Sequence, residues 1–343
     1  MRNRATVKEM AQHLNVSEST VYRALLDHHN IGLGMKIKVR ELAEKWNYQR
    51  NERAALFKQG KTNTIGVILP EFSESFFSTA LSGIEDTAGK HNWSIMIGQS
   101  HDRKDREKEI LANMKRKGIE GLIVSLAKDS HTYEHFDMLK RSNIPVVFFD
   151  RVPGQQDVHF ISSNIRSGTI RAIDFLYKKN HKIIGMINGP EDLSASRERA
   201  DGYEKGMREN GLPFVPGLIV YSDLTVEGTN EAMRRLLSNE EKPTAIVVFN
   251  DYVAMDAIRY ARERKLRINK DISFVSYANL PLMSYLATPP LASVEQYPYE
   301  QGQKATETLF RLLSEDVKGR GIDTHYRIII EPKLVVHKKF ASV

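Results

Sequence analysis

Two hydrophobic rhythms divide the chain. Val7, Met10, Ala11 and Leu14 fall at i, i+3, i+4 and i+7, one apolar stripe of a helix. Thr6 followed by Glu9 is a capping box that starts it. Asn15-Val16 breaks the period, and Ser17 is placed to cap a second helix with Val21, Ala24 and Leu25 on its inner face. Small Ala11 permits a close crossing, and Val16 fills the turn. A third stripe, Val39, Leu42, Ala43 and Trp46, completes an all-α head over residues 1–49, the helix-turn-helix plan. From Thr64 the rhythm changes to short continuous apolar runs separated by amphipathic stretches. The runs predict strands at Thr64–Pro70, Ser94–Ser100, Gly121–Leu126, Val146–Asp150, Lys182–Asn188, Leu218–Tyr221, Ala245–Asn250 and Ser273–Tyr277. Strands alternating with helices imply parallel sheets covered on both faces. There are about twice as many units as one doubly wound domain needs, so the α/β body divides into two similar lobes. The expected bounds are about 62–161 with 294–322 for lobe 1, and about 162–293 with 323–343 for lobe 2.

Charge sharpens the division. Residues 1–61 carry 12 Lys/Arg against 6 Asp/Glu, whereas the remaining 282 carry 38 against 37. A basic head on a nearly neutral body is the electrostatic footprint of a nucleic-acid module fused to something else. The outward face of the second helix presents Glu18, Ser19, Tyr22 and Arg23. Arg can pair bidentately with guanine O6 and N7 in the major groove. Hydroxyls of Ser17, Thr20 and Tyr22 suit phosphate oxygens, and Lys36 and Lys38 suit the DNA backbone. Glu18 can accept from cytosine N4 or complement the positive helix start.

These residues bring a family into view. Thr6-Val-Lys-Glu9, Ala11, Val16-Ser17, Ser19-Thr20-Val21, Arg23, Val39, Ala43 and Tyr48 resemble the DNA-binding head of the LacI/GalR family of bacterial transcription regulators. The resemblance implies base reading by Glu18, Ser19 and Arg23. Thr6, Asn30 and Asn51 join Ser17, Thr20 and Tyr22 in the expected set of DNA contacts. Leu26 stands where a polar Asn is usual, and Gly32 where a Ser usually caps the third helix.

Residues 50–61 predict a linker helix of two to three turns, too short to be stable alone and suited to folding against DNA. The resemblance implies that Phe57 wedges into the minor groove beside its twofold mate and kinks the duplex. Ala54 would permit close approach of the paired helix, and Lys58 would reach phosphate. Packing of Leu56 and Phe57 on the body is the other reading. Arg50 replaces the family's usual Pro.

The body carries the resemblance further. Its landmarks are Asn63-Thr-Ile-Gly-Val67, Phe76-Phe77, Pro145-Val-Val147, Asp150-Arg151, Asn164, Gly189-Pro190, Arg199-Ala-Asp-Gly-Tyr203, Asn250-Asp251, Ala254, Thr288-Pro-Pro-Leu-Ala-Ser-Val294 and Pro332-Lys-Leu-Val-Val336. It implies two doubly wound lobes of periplasmic-binding-protein type, with an effector held between them by Phe76, Phe77, Asp150, Arg199, Asn250 and Gln296. Aromatic faces against a ring, with carboxylate, guanidinium and amide groups on its hydroxyls, suit a sugar or similar polyol. Where the family often has an effector-binding Asp after Tyr277, this chain has Ala278. Locally, Phe76 and Phe77 can also begin a helix stripe, and Asp150 can cap or pair with Arg151.

Other chemistry finds little support. No cysteine is present, so disulfides, thiolate metal sites and cysteine nucleophiles are excluded. His131-Thr-Tyr-Glu-His135 matches H-x-x-E-H, in which two His on one helix face hold zinc and Glu134 acts as base. It falls at the start of a predicted surface helix, the plainer reading. No phosphate-binding G-x-x-x-x-G-K-[ST], no G-x-G-x-x-G after a strand and no G-x-S-x-G turn occurs. No catalytic residue, metal or cofactor is expected. The basic start lacks an apolar signal core, and no apolar run reaches membrane-spanning length. A cytoplasmic homodimer on an inverted-repeat operator is therefore expected, with a carbohydrate effector and no membrane. The chain stops just after its last apolar run, without a heptad segment for a tetramer coil. The alternatives are control by a partner protein, a two-lobed solute receptor, or a zinc peptidase using His131, Glu134 and His135.

Overall fold

Six apolar side chains close the core of the head. Met10, Ala11, Val21, Ala24, Val39 and Leu42 are buried among α1 (Val7–Leu14), α2 (Glu18–Leu25) and α3 (Leu33–Lys45). The computed structural model describes residues 5–48, 61–130, 133–154, 157–316 and 325–337, and the chain separates into two compact units, 1–62 and 63–343. Each start signal takes its expected form. Thr6 Oγ1 accepts from Glu9 N while Glu9 Oε2 accepts from Thr6 N at 2.8 Å. Ser17 Oγ accepts from Thr20 N at 3.1 Å. Gly32 offers no side-chain cap to α3. The linker residues Asn51, Ala54, Phe57 and Lys58, together with His131, lie outside the described residues.

The body holds two six-stranded sheets. The first comprises β1 (Thr64–Leu69), β2 (Ser94–Gln99), β3 (Gly121–Val124), β4 (Val146–Phe149), β5 (His159–Ser163) and β11 (Arg327–Ile330), in the order β11-β5-β4-β3-β1-β2, all parallel. The second comprises β6 (Ile184–Asn188), β7 (Ile219–Tyr221), β8 (Ala245–Val248), β9 (Ser273–Tyr277), β10 (Ala292–Glu295) and β12 (Lys333–Val336), in the order β12-β10-β9-β8-β6-β7. Only β12 runs antiparallel, against β10. Central strands such as β3, β8 and β9 are buried at every residue, because helices cover both sheet faces. Edge strand β2 has no buried residue, and Ser94 and Ile97 are exposed.

In lobe 1, α4 (Ser75–Lys90) and α11 (Pro298–Asp316) cover one face of the sheet, and α5 (Lys104–Arg116) covers the other. In lobe 2, α7 (Ile165–Lys178) and α8 (Ser194–Glu209) lie opposite α9 (Val226–Leu237) and α10 (Asp251–Glu263). The remaining helix, α6 (Asp137–Lys140), is one turn long.

The chain passes between lobes after β5, after β10 and between β11 and β12. This corrects the expected bounds. Residues 294–295 end β10 in the second sheet, and 327–330 join the first sheet rather than the second. The last crossing is therefore Glu331-Pro332. Pattern alone misplaces it because the edge strand Arg-Ile-Ile-Ile and its successor read as one apolar tail.

Glycines set the helix spacing. A Cβ on Gly302 would strike the carbonyl oxygen of Ala80, and one on Gly83 that of Tyr299, so α4 and α11 cross with backbones in contact. Gly302→Ala forces the backbones apart and should cost on the order of 2 kcal/mol. A urea midpoint unchanged from the native protein would show that the helices tolerate separation.

Candidate functional site

In the head, Ser17, Glu18, Ser19, Tyr22 and Arg23 lie exposed along one side of α2 and its cap, opposite buried Val21 and Ala24. Thr20 is half-buried. Ser17 Oγ shares hydrogen bonds with Ser19 Oγ at 2.7 Å and Thr20 Oγ1 at 2.8 Å, so the three hydroxyls form one preset cluster. Thr6, the cap of α1, and Asn30, late in the α2–α3 turn, are exposed. Lys36 differs from expectation. Its ammonium bonds Asp27 O at 3.1 Å and Asp27 Oδ1 at 3.0 Å, leaving it committed within the head. Lys38 remains exposed.

In the body, the carboxyl ends of the strands face one another across a cleft, and side chains from both lobes line one cavity of about 70 Å³. Lobe 1 contributes Phe76 and Phe77 from the first turn of α4, and Asp150 and Arg151 from the end of β4. Lobe 2 contributes Arg199 from α8, Asn250 from the start of α10, and Ala278 after β9. Gln296 lies in the crossing after β10. All six residues expected at an effector site are brought to this one cavity. Sequence reasoning missed Glu74, Leu193 and Phe249, which line it too. Phe249 was findable, since it precedes Asn250 at a strand end. Glu74 carried no signal beyond its charge.

Arg199 is the centre of this cleft and is only 4% exposed. Its guanidinium lies 4.1 Å from the Phe249 ring centroid and 4.4 Å from that of Tyr277. Desolvated cation–π contacts of this kind are worth about 2 kcal/mol. Nη1 donates to Ala195 O at 3.1 Å, whereas buried Nε has no partner. Burial pulls its pKa below the ordinary arginine value, opposed by Tyr277, Asp150 and Glu198.

The other polar groups are similarly unspent. Asn250 Oδ1 caps α10 by accepting from Val253 N at 3.0 Å, leaving its amide nitrogen without a partner among the described residues. The side-chain amide of buried Gln296 makes no hydrogen bond to a described residue. Asp150 receives only a long contact from Ser125 Oγ, 3.5 Å. Its expected local partner, Arg151, instead pairs with Asp102. Burial pushes the Asp150 carboxyl up to about 6, against the pull of Arg151 and Arg199.

The backbone is strained where it meets the cleft. Asp150, Ala278, Asn279 and Tyr297 have φ of 56°, 90°, 52° and 55°. Such left-handed residues cost of order 1 kcal/mol each and persist only where surroundings enforce them. Asp251, fully buried, supplies one clamp: it accepts from Ser276 Oγ, from Ser293 Oγ at 2.7 Å and from Leu280 N at 2.6 Å. Glu295 supplies another, accepting from Asn279 Nδ2 at 3.0 Å and Tyr297 N at 2.8 Å.

The raised Asp150 pKa has a thermodynamic sign. The folded protein holds this proton to higher pH than the unfolded chain, so ionisation costs stability as pH rises from about 4 to 6. Asp150→Asn removes that cost, and Asn tolerates the left-handed backbone. It should raise the ligand-free stability by on the order of 2 kcal/mol at pH 7 and by almost nothing at pH 3.5. Equal effects at both pH values in chemical denaturation would contradict this assignment.

The described part of the H-x-x-E-H pattern, residues 133–135, does not lie on the expected α-helix. Glu134–Phe136 is a single 3-10 turn, with Glu134 exposed and His135 turned inward. His135 Nε2 bonds Glu107 Oε1 at 2.7 Å, and Glu107 also accepts from Ala127 N and Ser130 Oγ, each at 2.8 Å. Among the described residues, no three His, Asp or Glu side chains cluster as metal ligands, and no helix is long and apolar enough to cross a membrane.

Comparison with known proteins decides the family. Residues 62–334 match the family described as periplasmic binding proteins and sugar binding domain of LacI family. The chain belongs to the LacI/GalR family of transcription regulators. The regulator is 30% identical over 312 residues to catabolite control protein A of Priestia megaterium, covering 91% of this chain and 93% of that one. It is 28% identical over 328 residues to the HTH-type transcriptional repressor CytR of Escherichia coli K12, covering 95% and 93%. Its fold matches the Lac repressor dimer bound to operator and the anti-inducer ONPF, with a TM-score of 0.83 at 23% identity over 98% of this chain and 99% of that one.

Proposed function

We propose that this regulator is a cytoplasmic homodimeric repressor, not an enzyme, whose paired heads bind an inverted-repeat operator and whose cleft binds a polyol effector. The carrying observation is Arg199. A buried guanidinium stacked on two aromatic rings, with an unspent Nε, offers a ready charged donor to a ligand in the cavity. Asn250, Gln296 and Asp150 leave further donors and acceptors open on the same cavity. A hydroxylated ring satisfies them while Phe76 and Phe77 pack on its face. This favours a small molecule over a partner protein as the controlling signal, although Ala278 lacks the family's usual acceptor. No catalytic group, metal or cofactor enters the reading.

The head serves as the reader. Arg23 pairs with guanine, Glu18 and Ser19 contact neighbouring bases, and the Ser17–Thr20 hydroxyl cluster, Thr6, Tyr22 and Asn30 hold phosphates. Asn51, Ala54, Phe57 and Lys58 form the linker contacts, with Phe57 as wedge. Two heads on a twofold axis require two half-sites. The effector acts by population shift, binding one lobe arrangement more tightly than the other and so changing how often paired heads fit DNA.

Selection of bound duplexes from a random pool, with and without free sugars, tests this reading. Inverted repeats should be enriched, and one sugar should change their recovery. Recovery of random duplexes under every condition would overturn it.

The effector should also show a pH signature. Hydroxyl donors favour ionised Asp150, so affinity should fall as pH drops through about 6. The loss should be about tenfold between pH 7 and pH 5. Asp150→Asn should bind more weakly at pH 7 with a flat profile, measured by calorimetry.

A further inference from the structure

Glu74 sits on the cleft without a function. It is the residue before α4, half-buried, and it lines the same cavity as Asp150, Arg199 and Gln296. Its carboxylate caps nothing and makes no hydrogen bond to any described residue. Burial pushes its pKa up; the charge of Arg151 opposes this, and Asp102, Asp150 and Glu71 add to it.

The charges around it leave no spare cation. Arg151 is committed to Asp102. Arg199 is held by its aromatic neighbours and feels both Asp150 and Glu198. Two carboxylates, Glu74 and Asp150, therefore face the cavity from lobe 1. On lobe 2, position 278 presents a methyl group rather than an acceptor. The acceptor capacity of the cleft is concentrated on one wall.

We propose that Glu74 is a specificity-determining ligand contact, so that the cleft takes an unphosphorylated polyol offering hydroxyl or ammonium donors to Glu74 and rejects anionic ligands. This rests on the reading of the cleft as an effector site. A phosphate or carboxylate entering here meets two desolvated carboxylates, and of the two guanidiniums on the cavity Arg151 is already paired with Asp102, so like charge is not offset. A hydroxyl or ammonium meets an acceptor that has been desolvated and left open. Rejection by unpaired buried charge discriminates far better than a missing apolar contact does.

The test is a thermal-shift and calorimetry panel on the full chain. The probes are glucose, galactose, ribose, glucosamine, glucose 6-phosphate and ribose 5-phosphate. At least one unphosphorylated probe should bind, and its phosphorylated counterpart should bind at least a hundredfold more weakly. Glu74→Gln, which keeps the shape and removes a desolvated charge, should fold. It should lose at least tenfold affinity for the preferred probe and narrow the gap to the phosphate. Arg199→Ala should lose affinity for every probe. A phosphorylated probe binding the native protein as tightly as its parent overturns the proposal. So does unchanged affinity in Glu74→Gln when Arg199→Ala has lost it, in which case the cleft reading survives. If no probe binds, or if neither variant changes binding, both readings fall together.

Discussion

Arg199→Ala should abolish the effector response and leave operator binding intact. The side chain supplies a buried guanidinium on the cavity, stacked on two aromatic rings, whereas Arg151 is paired with Asp102. Charged hydrogen bonds and desolvated cation–π contacts of this kind are each worth about 2 kcal/mol. The stacking holds the side chain in place with or without ligand, so losing the charged hydrogen bond should weaken effector binding by about ten- to a hundredfold. Arg199→Lys should not rescue, because an ammonium cannot keep a planar stack and an in-plane Nε donor together. Truncation also opens a gap between Phe249 and Tyr277, so thermal stability is measured alongside. A variant with native operator affinity, native folding and full effector response would contradict the assignment.

Arg23→Ala should produce the second large effect, on DNA rather than on effector. One bidentate guanine contact carries about 1–3 kcal/mol of discrimination, and each head contributes one. Operator affinity should fall by one to two orders of magnitude per half-site, and selected sequences should lose their preference at a single base position. Arg23→Lys should restore part of the affinity but not that preference. Lys38→Ala should behave differently, weakening all duplexes alike and lowering the salt slope by about one. Lys36→Ala should disturb the head rather than the phosphate contacts, because Lys36 is spent on Asp27. Equal loss across all duplex sequences in Arg23→Ala would make Arg23 a phosphate contact.

The sequence reveals much of this design because its local signals agree with one another. The capping box at Thr6 and Glu9, the Ser17 cap and the Met10–Val21–Val39 core each follow from spacing within a few residues. Central strands read clearly because burial on both faces leaves continuous apolar runs. Strands β5, β10, β11 and β12 are harder to find. They are four or five residues long, mixed with Ser, His, Arg or Lys, and all four adjoin a lobe crossing. Their identity depends on partners far away in sequence, as β11 with β5 and β12 with β10.

The cleft shows the same limit. Phe76, Asp150, Arg199 and Asn250 are recognisable because each stands in a family landmark. What holds them is not. Asp251 reads as one more helix-start acid, yet it ties α10, β9, β10 and the 278–280 turn through three hydrogen bonds. Arg199 looks like a solvated helical arginine until Phe249, just after β8, and Tyr277, at the end of β9, close over it. Such burial is created by tertiary packing, and no window of sequence contains it.

A cleft that controls the head must share one coupling free energy with it. Calorimetric titration of an effector, with and without saturating operator duplex, tests it most directly. Linkage requires the operator to change effector affinity by the same factor that the effector changes operator affinity, typically 5- to 150-fold. Equal factors are expected, lost together in Arg199→Ala. An effector that binds the cleft equally tightly with and without operator would contradict that coupling.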